Sequence, residues 1–297
     1  LVSNLIDLGI KINILSRRPE EASFLKVGAS LGQISIFKGS HRNKSLIEEL
    51  VKNSDAIVNL TGILHEKKSK DFKNLHTNFP AFLGELAAKY KIKKFIHISA
   101  LSVEKNSLSK YAVSKFTGEN LLKSNFQAAT IIRPSVIFGA EDNFFNKFAK
   151  LMAFSPFLPV IGNGKTKFQP VYVDDVANAI VKILSYNRYD HGIYEIGGPD
   201  IINFAEIMQL ILDITKRNGM LLRIPFPAAY IFALFAELLP DPLITRDQLK
   251  LMRFDNVTSQ KTKTLFDLGI QPKSISEIVP SYLEIYSKES IKRVCNS

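Results

Sequence analysis

A tyrosine and a lysine one helical turn apart are the sharpest chemical signal in the sequence. The stretch YAVSK, from Tyr111 to Lys115, is a Y-x-x-x-K that opens a helix-like segment, and residues four apart share one face of a helix. An ammonium beside a phenol favours the phenolate and lowers the pKa of the phenol from about 10. Tyr111 could then exchange a proton with a substrate hydroxyl or carbonyl, and Lys115 could also reach ribose hydroxyls of a bound dinucleotide. The alternative is an amphipathic helix start with a solvated lysine.

Alternating strand-like and helix-like segments position this pair. Apolar runs and helical periodicity predict strands at 11–16, 34–37, 56–60, 94–99 and 129–133, and helices at 45–52, 78–90 and 111–124. This rhythm is typical of a parallel sheet covered on both faces, so we expect an α/β, Rossmann-like doubly wound fold. After about residue 135 we expect a helix at 144–152, a Pro/Gly-rich loop to Gln169, a capped helix in VYVDDVANAIVKIL, a strand at 192–196 and then helices.

The first residues indicate where the glycine-rich phosphate loop of such a fold would belong. LVSNLIDLGIKINILSRRP is typical of the second half of a helix, a stop at Gly9 and a strand. In a dinucleotide-binding βαβ unit, a central strand and a G-x-x-G-x-x-G turn come before this point and hold the pyrophosphate. We therefore expect a sheet that lacks its first strand and a chain that binds dinucleotide weakly. A truncated gene product, a start-site error and a fragment remain open as explanations.

Several further segments resemble the extended and atypical short-chain dehydrogenase/reductases, and the likeness covers nearly all of the chain. Thr61-Gly62 after AIVNL resembles the turn beside the adenine and ribose, and Asn78 matches an asparagine at the start of the next helix. Arg133 to Gly139 resembles the R-P-x-x-x-x-G segment that passes the nicotinamide, which implies contacts from Pro134 and Val136. The alternatives are a purely structural asparagine and a strand exit without ligand contact. The Asp pair in VDDVA matches the helix start of the second lobe, and we interpret it as helix capping.

The resemblance also implies roles for the remaining site residues. Tyr111 would be the acid/base, Lys115 would tune it and hold ribose, and Ser99 would orient the reacting oxygen, although Ala100 occupies the family's most usual serine position. Within one domain over 1–297, about 1–140 plus 170–185 would bind nucleotide, and about 141–169 plus 190–297 would form a small interwoven substrate lobe. The residues expected to shape the substrate pocket are Asn143, Phe144, Gln169 and Tyr172.

Cofactor preference is expected at the end of the second strand. Members that bind NAD place an acid there to grip the ribose hydroxyls, whereas this chain has Ser16, Arg17 and Arg18. The guanidinium groups of these arginines suit a 2′-phosphate. We therefore predict NADP(H) as the cofactor over NAD(H). Simple surface charge is the alternative interpretation of the two arginines.

A C-terminal segment indicates a particular subfamily. PDPLITRDQLKLMRFDNV, with the preceding PFPAAYIFALFAELLP and the HISAL strand end, resembles the nucleotide-binding accessory subunit of respiratory complex I and its bacterial relatives. By its own chemistry, Thr245 to Gln248 is only an exposed polar helix start. The implied role is structural, assembly-related or in a quinone pathway, within a respiratory-chain or other membrane-associated complex. The alternatives are an active NAD(P)-dependent reductase, epimerase or dehydratase, and a remnant without cofactor.

Composition excludes some classes of protein. The net charge of +11 comes from basic residues that are scattered along the chain, which argues against a nucleic-acid surface. Cys295 is the single cysteine and has no neighbours with metal-ligand spacing, so we expect no metal site and a reducing compartment. The apolar stretch 228–239 is too short to span a bilayer; it would be a docking helix or a buried core element. We expect a cytoplasmic protein, or one peripheral on the inner face of an energy-transducing membrane, in a bacterial cytoplasm or mitochondrial matrix.

Overall fold

The computed structural model describes residues 1–104, 107–189, 191–259 and 261–287, and Cys295 lies outside this part. The α-helices of the described part are α1 (Val2–Asp7), α2 (Lys44–Lys52), α3 (Phe79–Lys89), α4 (Lys110–Asn125), α5 (Phe145–Phe154), α6 (Val173–Ser185), α7 (Phe204–Thr215), α8 (Phe226–Ala236), α9 (Arg246–Leu251) and α10 (Ile275–Leu283). The strands are β1 (Ile12–Ser16), β2 (Ile34–Lys38), β3 (Ala56–Asn59), β4 (Lys94–Ile98), β5 (Thr130–Pro134), β6 (Ile137–Phe138), β7 (Phe157–Ile161), β8 (Lys167–Phe168), β9 (Val171–Tyr172), β10 (Gly192–Ile196), β11 (Ile202–Asn203) and β12 (Met220–Ile224).

A four-stranded parallel sheet in the order β10-β5-β4-β3 forms the centre of the fold. β1 and β2 form a separate parallel pair. Within the described residues β1 pairs with β2 alone and β3 with β4 alone, so the two strands predicted to flank a central strand are not hydrogen-bonded to each other. The predicted Rossmann-like α/β architecture with a parallel sheet is confirmed.

The helices cover both faces of this sheet because its central strands are apolar on both sides. Along β4, Phe95 packs into a cluster with α2 and α3, whereas Ile96 packs into a cluster with α6. Both side chains are almost completely buried. Successive residues of a strand point to opposite faces, so this apolar run dictates a layer of helices on each side.

A second, larger core lies towards the C-terminus. It joins α5, α7, α10 and β7 around a group of aromatic rings that touch one another. The rings are those of Phe144, Phe148, Phe168 and Phe204. The division into a nucleotide-binding core and a smaller lobe at the boundaries given above stays a prediction.

Three local expectations are wrong. The part after 192–196, where only helices were expected, also contains β11 and β12. The segment expected as a loop up to Gln169 contains β7, which pairs in parallel with β12, and β8; its alternating burial, with Leu158 and Val160 inside, is a strand pattern that Pro159 obscured. The Asp pair does not cap α6, whose N-cap is Tyr172 without a side-chain bond. Asp175 instead accepts a hydrogen bond from the backbone of Lys273 at 2.8 Å, because the C-terminal segment folds back onto the helix.

Among the described residues, every helix is too short or too polar to cross a membrane.

Candidate functional site

Lys115 marks the point where the ends of two parallel strands meet α4. Its buried Nζ donates to the carbonyl oxygen of Ile98, the last residue of β4, at 3.0 Å. It also lies 3.5 Å from the place that a Cβ on Gly62 would occupy, just after β3. The structure therefore brings Lys115 and the Thr61-Gly62 turn together, as the resemblance implies.

Tyr111 packs one turn before Lys115 in an aromatic setting. Its ring makes edge contacts with His76 and Phe72 at centroid distances of 5.3 and 5.9 Å, and Lys115 Nζ lies 5.9 Å from its centroid. Burial raises the pKa of Tyr111 above its usual value of 10.0. The expected lowering is wrong, because loss of water disfavours the phenolate more than the ammonium favours it. Burial also lowers the pKa of Lys115 to about 8.

Ser99 follows β4 with a hydroxyl that lacks a partner. Its backbone N–H donates to Ile132 at 2.7 Å, while the buried Oγ makes no hydrogen bond to any described residue. Leaving a buried hydroxyl unpaired costs about 1–3 kcal/mol. Such an atom beside Ile98 and Lys115 is an expected contact for a polar ligand group.

His76 is a site residue that the sequence analysis missed. Its Nε2 accepts from the backbone N–H of Ile63 at 3.1 Å, so Nδ1 donates to Ser114 Oγ at 3.0 Å, and that hydroxyl donates to the carbonyl of Tyr111 at 2.8 Å. Burial, with a smaller contribution from Lys115, lowers the pKa of His76 to about 3. The neutral ring therefore ties the loop after β3 to the first turn of α4. No local motif signals this role.

Asp247 at the start of α9 caps α4 from a distance of more than 100 residues. Its carboxylate accepts from Ser109 Oγ at 2.7 Å, from the backbone N–H of Lys110 at 2.9 Å and from that of Tyr111 at 3.0 Å. A carboxylate at a helix N-terminus satisfies free N–H groups and complements the helix dipole. The interpretation of Thr245 to Gln248 as only an exposed helix start is therefore wrong.

We expect Asp247→Ala to lower the free energy of unfolding by about 1–2 kcal/mol, as loss of a helix cap does. Ligand binding at Lys115 should weaken as well, since the first turn of α4 carries Tyr111. Urea denaturation measures the first effect. Asp247→Asn retains one acceptor oxygen and should fall between wild type and alanine; equal stability of all three proteins would contradict the cap.

Arg133 joins α4 to the central sheet through glutamate partners. Its guanidinium binds Glu119 on α4 through two hydrogen bonds of 3.0 and 2.5 Å, and Glu195 on β10 lies 3.7 Å away. The following Pro134 is buried, and the carbonyl of half-buried Val136 accepts from the backbone of Val171 at 2.9 Å. Contacts of Pro134 and Val136 with a nicotinamide stay a prediction.

The other residues predicted to bind cofactor lie at the surface. Arg18 forms an exposed ion pair with Glu21 at 2.8 Å, and Arg17 is exposed at the end of β1. Asn78 is exposed at the N-cap of α3 and makes no side-chain capping bond.

The residues predicted to line a substrate pocket have different surroundings. Asn143 is exposed, and Phe144 packs in the aromatic group of the C-terminal core. Gln169 donates to Gly198 at 2.8 Å and accepts from Thr258 through its side-chain oxygen, so protein groups already satisfy it. Tyr172 stacks at a tilt on Phe138, with the ring centroids 5.7 Å apart.

An open groove of about 440 Å³ lies along the neighbouring face of α4, and neither Tyr111 nor Lys115 lines it. Since Ser114 lines the groove and also bonds His76, the groove adjoins the site from outside. Within the described part of the chain, no group of three His, Cys, Asp or Glu side chains is placed to hold a metal ion.

Comparisons with known proteins agree with this geometry. The model of the NAD dependent epimerase/dehydratase family matches residues 1–197. The mitochondrial NADH-ubiquinone oxidoreductase 40 kDa subunit of Neurospora crassa is 30% identical over 291 residues, which cover 96% of this chain and 76% of that protein. The mitochondrial NADH dehydrogenase (ubiquinone) 1 alpha subcomplex subunit 9 of Mus musculus is 31% identical over 271 residues, covering 91% and 70%.

Solved structures show the same fold at low identity. The structure of MoeE5 in complex with UDP-glucuronic acid and NAD superposes with a TM-score of 0.69 at 14% identity, covering 99% of this chain and 94% of that one. The predicted resemblance to the complex I accessory subunit is confirmed as homology over most of the chain. With its Tyr111–Lys115 helix at the ends of β3 and β4, the chain belongs to the NAD dependent epimerase/dehydratase family.

Proposed function

We propose that this protein is an NADP(H)-binding accessory protein of the respiratory-chain type, with a structural, assembly or quinone-pathway role. The main support for this proposal is the position of Lys115, whose buried amine lies between the ends of β3 and β4. An amine there can hold ribose hydroxyls. Burial raises the pKa of the neighbouring Tyr111, so its phenol stays protonated. The homology to complex I subunits supports a binding role over turnover.

The residues fit a dinucleotide at its ribose and nicotinamide end. Ser99 offers a buried hydroxyl without a protein partner, and Lys115 offers a charged donor next to the turn at Gly62. We expect Thr61-Gly62 to lie along the adenosine ribose, with Asn78 at the adjacent helix start. The bound cofactor would supply hydride chemistry.

Preference for NADP(H) rests on Arg17. Because Arg18 is engaged by Glu21, exposed Arg17 is the arginine at the end of β1 that we expect to turn towards a ligand. Its guanidinium suits a 2′-phosphate.

The test is a fluorescence titration of the purified protein with NADPH and NADH. We expect NADPH to bind more tightly by about tenfold, which corresponds to about 1.4 kcal/mol, and Arg17→Ala to remove this preference without changing NADH affinity. Arg188→Ala, an exposed arginine near α6, is the matched control and should change neither. Equal affinities in the wild-type protein would remove the NADP(H) proposal. Absence of binding by folded protein would favour the remnant without cofactor.

Binding should also depend on the charge of Lys115. Since its pKa is about 8, the ammonium predominates below that pH, and NADPH affinity should fall severalfold between pH 7 and 9.5. Lys115→Met should bind NADPH weakly with an affinity that does not change with pH, while Lys110→Met, exposed on the same helix, should keep the pH dependence of the wild-type protein.

The stability of the free protein should change with pH in the direction opposite to NADPH affinity. Between pH 8 and 10.5 the unfolded chain binds more protons, so stability rises with pH.

An active reductase, epimerase or dehydratase is the second candidate, and the unpaired hydroxyl of Ser99 favours it. In that version Tyr111 transfers the proton, Lys115 holds the ribose and Ser99 orients the reacting oxygen. Asn143, Phe144, Gln169 and Tyr172 would shape a substrate pocket in the smaller lobe. Hydride transfer to added carbonyl substrates that disappears in Tyr111→Phe would establish this candidate over the accessory role.

The setting that we propose is a membrane-associated protein complex of the respiratory chain. Its location would be a bacterial cytoplasm or mitochondrial matrix, at the inner face of the membrane. This proposal rests on the homology to complex I subunits, and co-purification with a respiratory complex tests it.

A further inference from the structure

Helix α8 turns its smallest side chains towards the protein and its largest towards solvent. Ala229 and Ala233 are buried in the C-terminal core, and Ala236 is buried as well. The bulky apolar side chains on the remaining faces, and on the turn that follows, are exposed. They are Tyr230, Ile231, Phe232, Leu234, Phe235, Leu238 and Leu239. We call these residues the α8 face.

The exposure of so many large apolar side chains in one short segment sets the α8 face apart from ordinary surface. Leu238 is 81% exposed, and Ile231 and Phe235 are more than 60% exposed. Monomeric proteins rarely expose a contiguous apolar patch of more than a few hundred Å². A helix that is apolar all round is usually buried in a core or in lipid. α8 uses only its alanine stripe for the core, so a second apolar environment is expected on its other side.

The charged residues around the α8 face include two neutral ion pairs and exposed arginines. Arg246 holds Glu237, at the end of α8, through contacts of 2.7 and 2.9 Å, and Lys147 holds Asp241 at 3.2 Å. Each of these two pairs carries no net charge. The basic edge is formed by Arg223, exposed on the strand that leads into α8, and by exposed Arg253, which lies over the ring of Phe226 at 5.2 Å. An apolar face with a basic edge complements an anionic lipid surface.

The structure also offers apolar surface on the strand before α8. Met220 and Leu222 of β12 are exposed, and Met220 pairs with the exposed Phe157 of β7. Arg223 follows Leu222 in the chain, shortly before the helix begins. Long basic side chains can bury their stems in apolar surroundings while the charged end stays in the headgroup layer.

We propose that the α8 face docks this protein on the surface of an anionic bilayer. The helix lies in the plane of the membrane, its outward side chains enter the boundary between headgroups and acyl chains, and Arg223 contacts lipid phosphates. No span is required. The biological setting of this inference rests on the accessory role proposed above, but lipid docking itself uses no residue of the nucleotide site.

Vesicle flotation tests the proposal. The probes are phosphatidylcholine vesicles with and without about one third phosphatidylglycerol. We expect the wild-type protein to float with the anionic vesicles, and Phe232→Gln/Phe235→Gln/Leu238→Gln to bind at least tenfold more weakly. Arg223→Glu should weaken binding to anionic vesicles only. The matched control is Phe24→Gln/Leu31→Gln, two large exposed apolar residues far along the chain, which should bind like wild type.

Three results would overturn the proposal. The first is equal vesicle binding by the triple variant and the wild-type protein. The second is no binding of wild-type protein to either kind of vesicle. The third is a wild-type dimer in gel filtration that the triple variant abolishes without any effect on lipid, which would assign the α8 face to a second copy. An NADPH titration of the triple variant reads the nucleotide site separately, so failure of docking and failure of the proposed function are distinguishable.

Discussion

Arg133→Met is expected to lower the free energy of unfolding by about 3–5 kcal/mol, the cost of removing one partner from a buried ion pair. Arg133 is 17% exposed and Glu119 only 4%. The guanidinium joins α4 to β5 through Glu119, and it approaches Glu195 on β10. Without it, two carboxylates are left close together and away from water. Urea denaturation followed by circular dichroism gives the size of the loss.

A second variant separates charge from packing in this prediction. Arg133→Met/Glu119→Leu removes both charges and should recover much of the stability, since apolar replacement of a buried pair is often neutral. Additive losses in the double variant would show that the cost of Arg133→Met does not come from an unpaired Glu119.

Gly118→Ala is the second change with a large expected effect, a loss of about 3 kcal/mol or more of unfolding free energy. A Cβ at Gly118 would lie 1.7 Å from the carbonyl oxygen of His76 and 3.3 Å from the Cα of Thr77. Both obstacles are backbone, so α4 must move away from residues 73–78. That movement would disturb His76 and its contact with Tyr111, and NADPH affinity should fall together with stability.

Gly84→Ala in α3 is the matched control for this effect. Its Cβ would meet Leu122 Cδ1 at 3.0 Å and the Cβ of Asn125 at 3.1 Å. The Leu122 methyl can rotate away, whereas the Asn125 Cβ and the backbone carbonyl oxygen of Leu122, at 3.3 Å, need to give by only a few tenths of an ångström. Alanine regains about 1 kcal/mol of helix propensity. The expected net loss is about 1 kcal/mol or less. If Gly118→Ala cost no more than Gly84→Ala in urea denaturation, the close approach of α4 to His76 would be contradicted.

The layered fold could be predicted from the sequence because its signals are local. The apolar runs that form β4 and β5 are buried on both faces, and their alternation with helices is compatible with few other folds. β7 escaped prediction because Pro159 interrupts its pattern, and because its partner β12 lies some 60 residues further along the chain. Pairing between distant segments leaves no local trace.

The candidate site also has one part that the sequence predicts and another part that it does not. Tyr111 and Lys115 share one helix, so their spacing alone placed them on one face. The direction of the Tyr111 pKa was predicted wrongly because burial, which decides it, depends on Phe72 and His76 packing from another element. Asp247 could not be assigned as a cap of α4 from sequence, since its partners lie more than 100 residues earlier.

The attachment of α9 has a consequence for how distant surfaces communicate. Glu237 at the end of α8 holds Arg246, and the next residue, Asp247, holds the first turn of α4, where Tyr111 begins the site. The start of α9 therefore contacts both the end of α8 and the start of α4. Where two binding events are linked through such a segment, each changes the free energy of the other by the same amount. If binding of a ligand at α4 and contact of a surface with α8 each stabilise this segment, each event would favour the other by the same free energy.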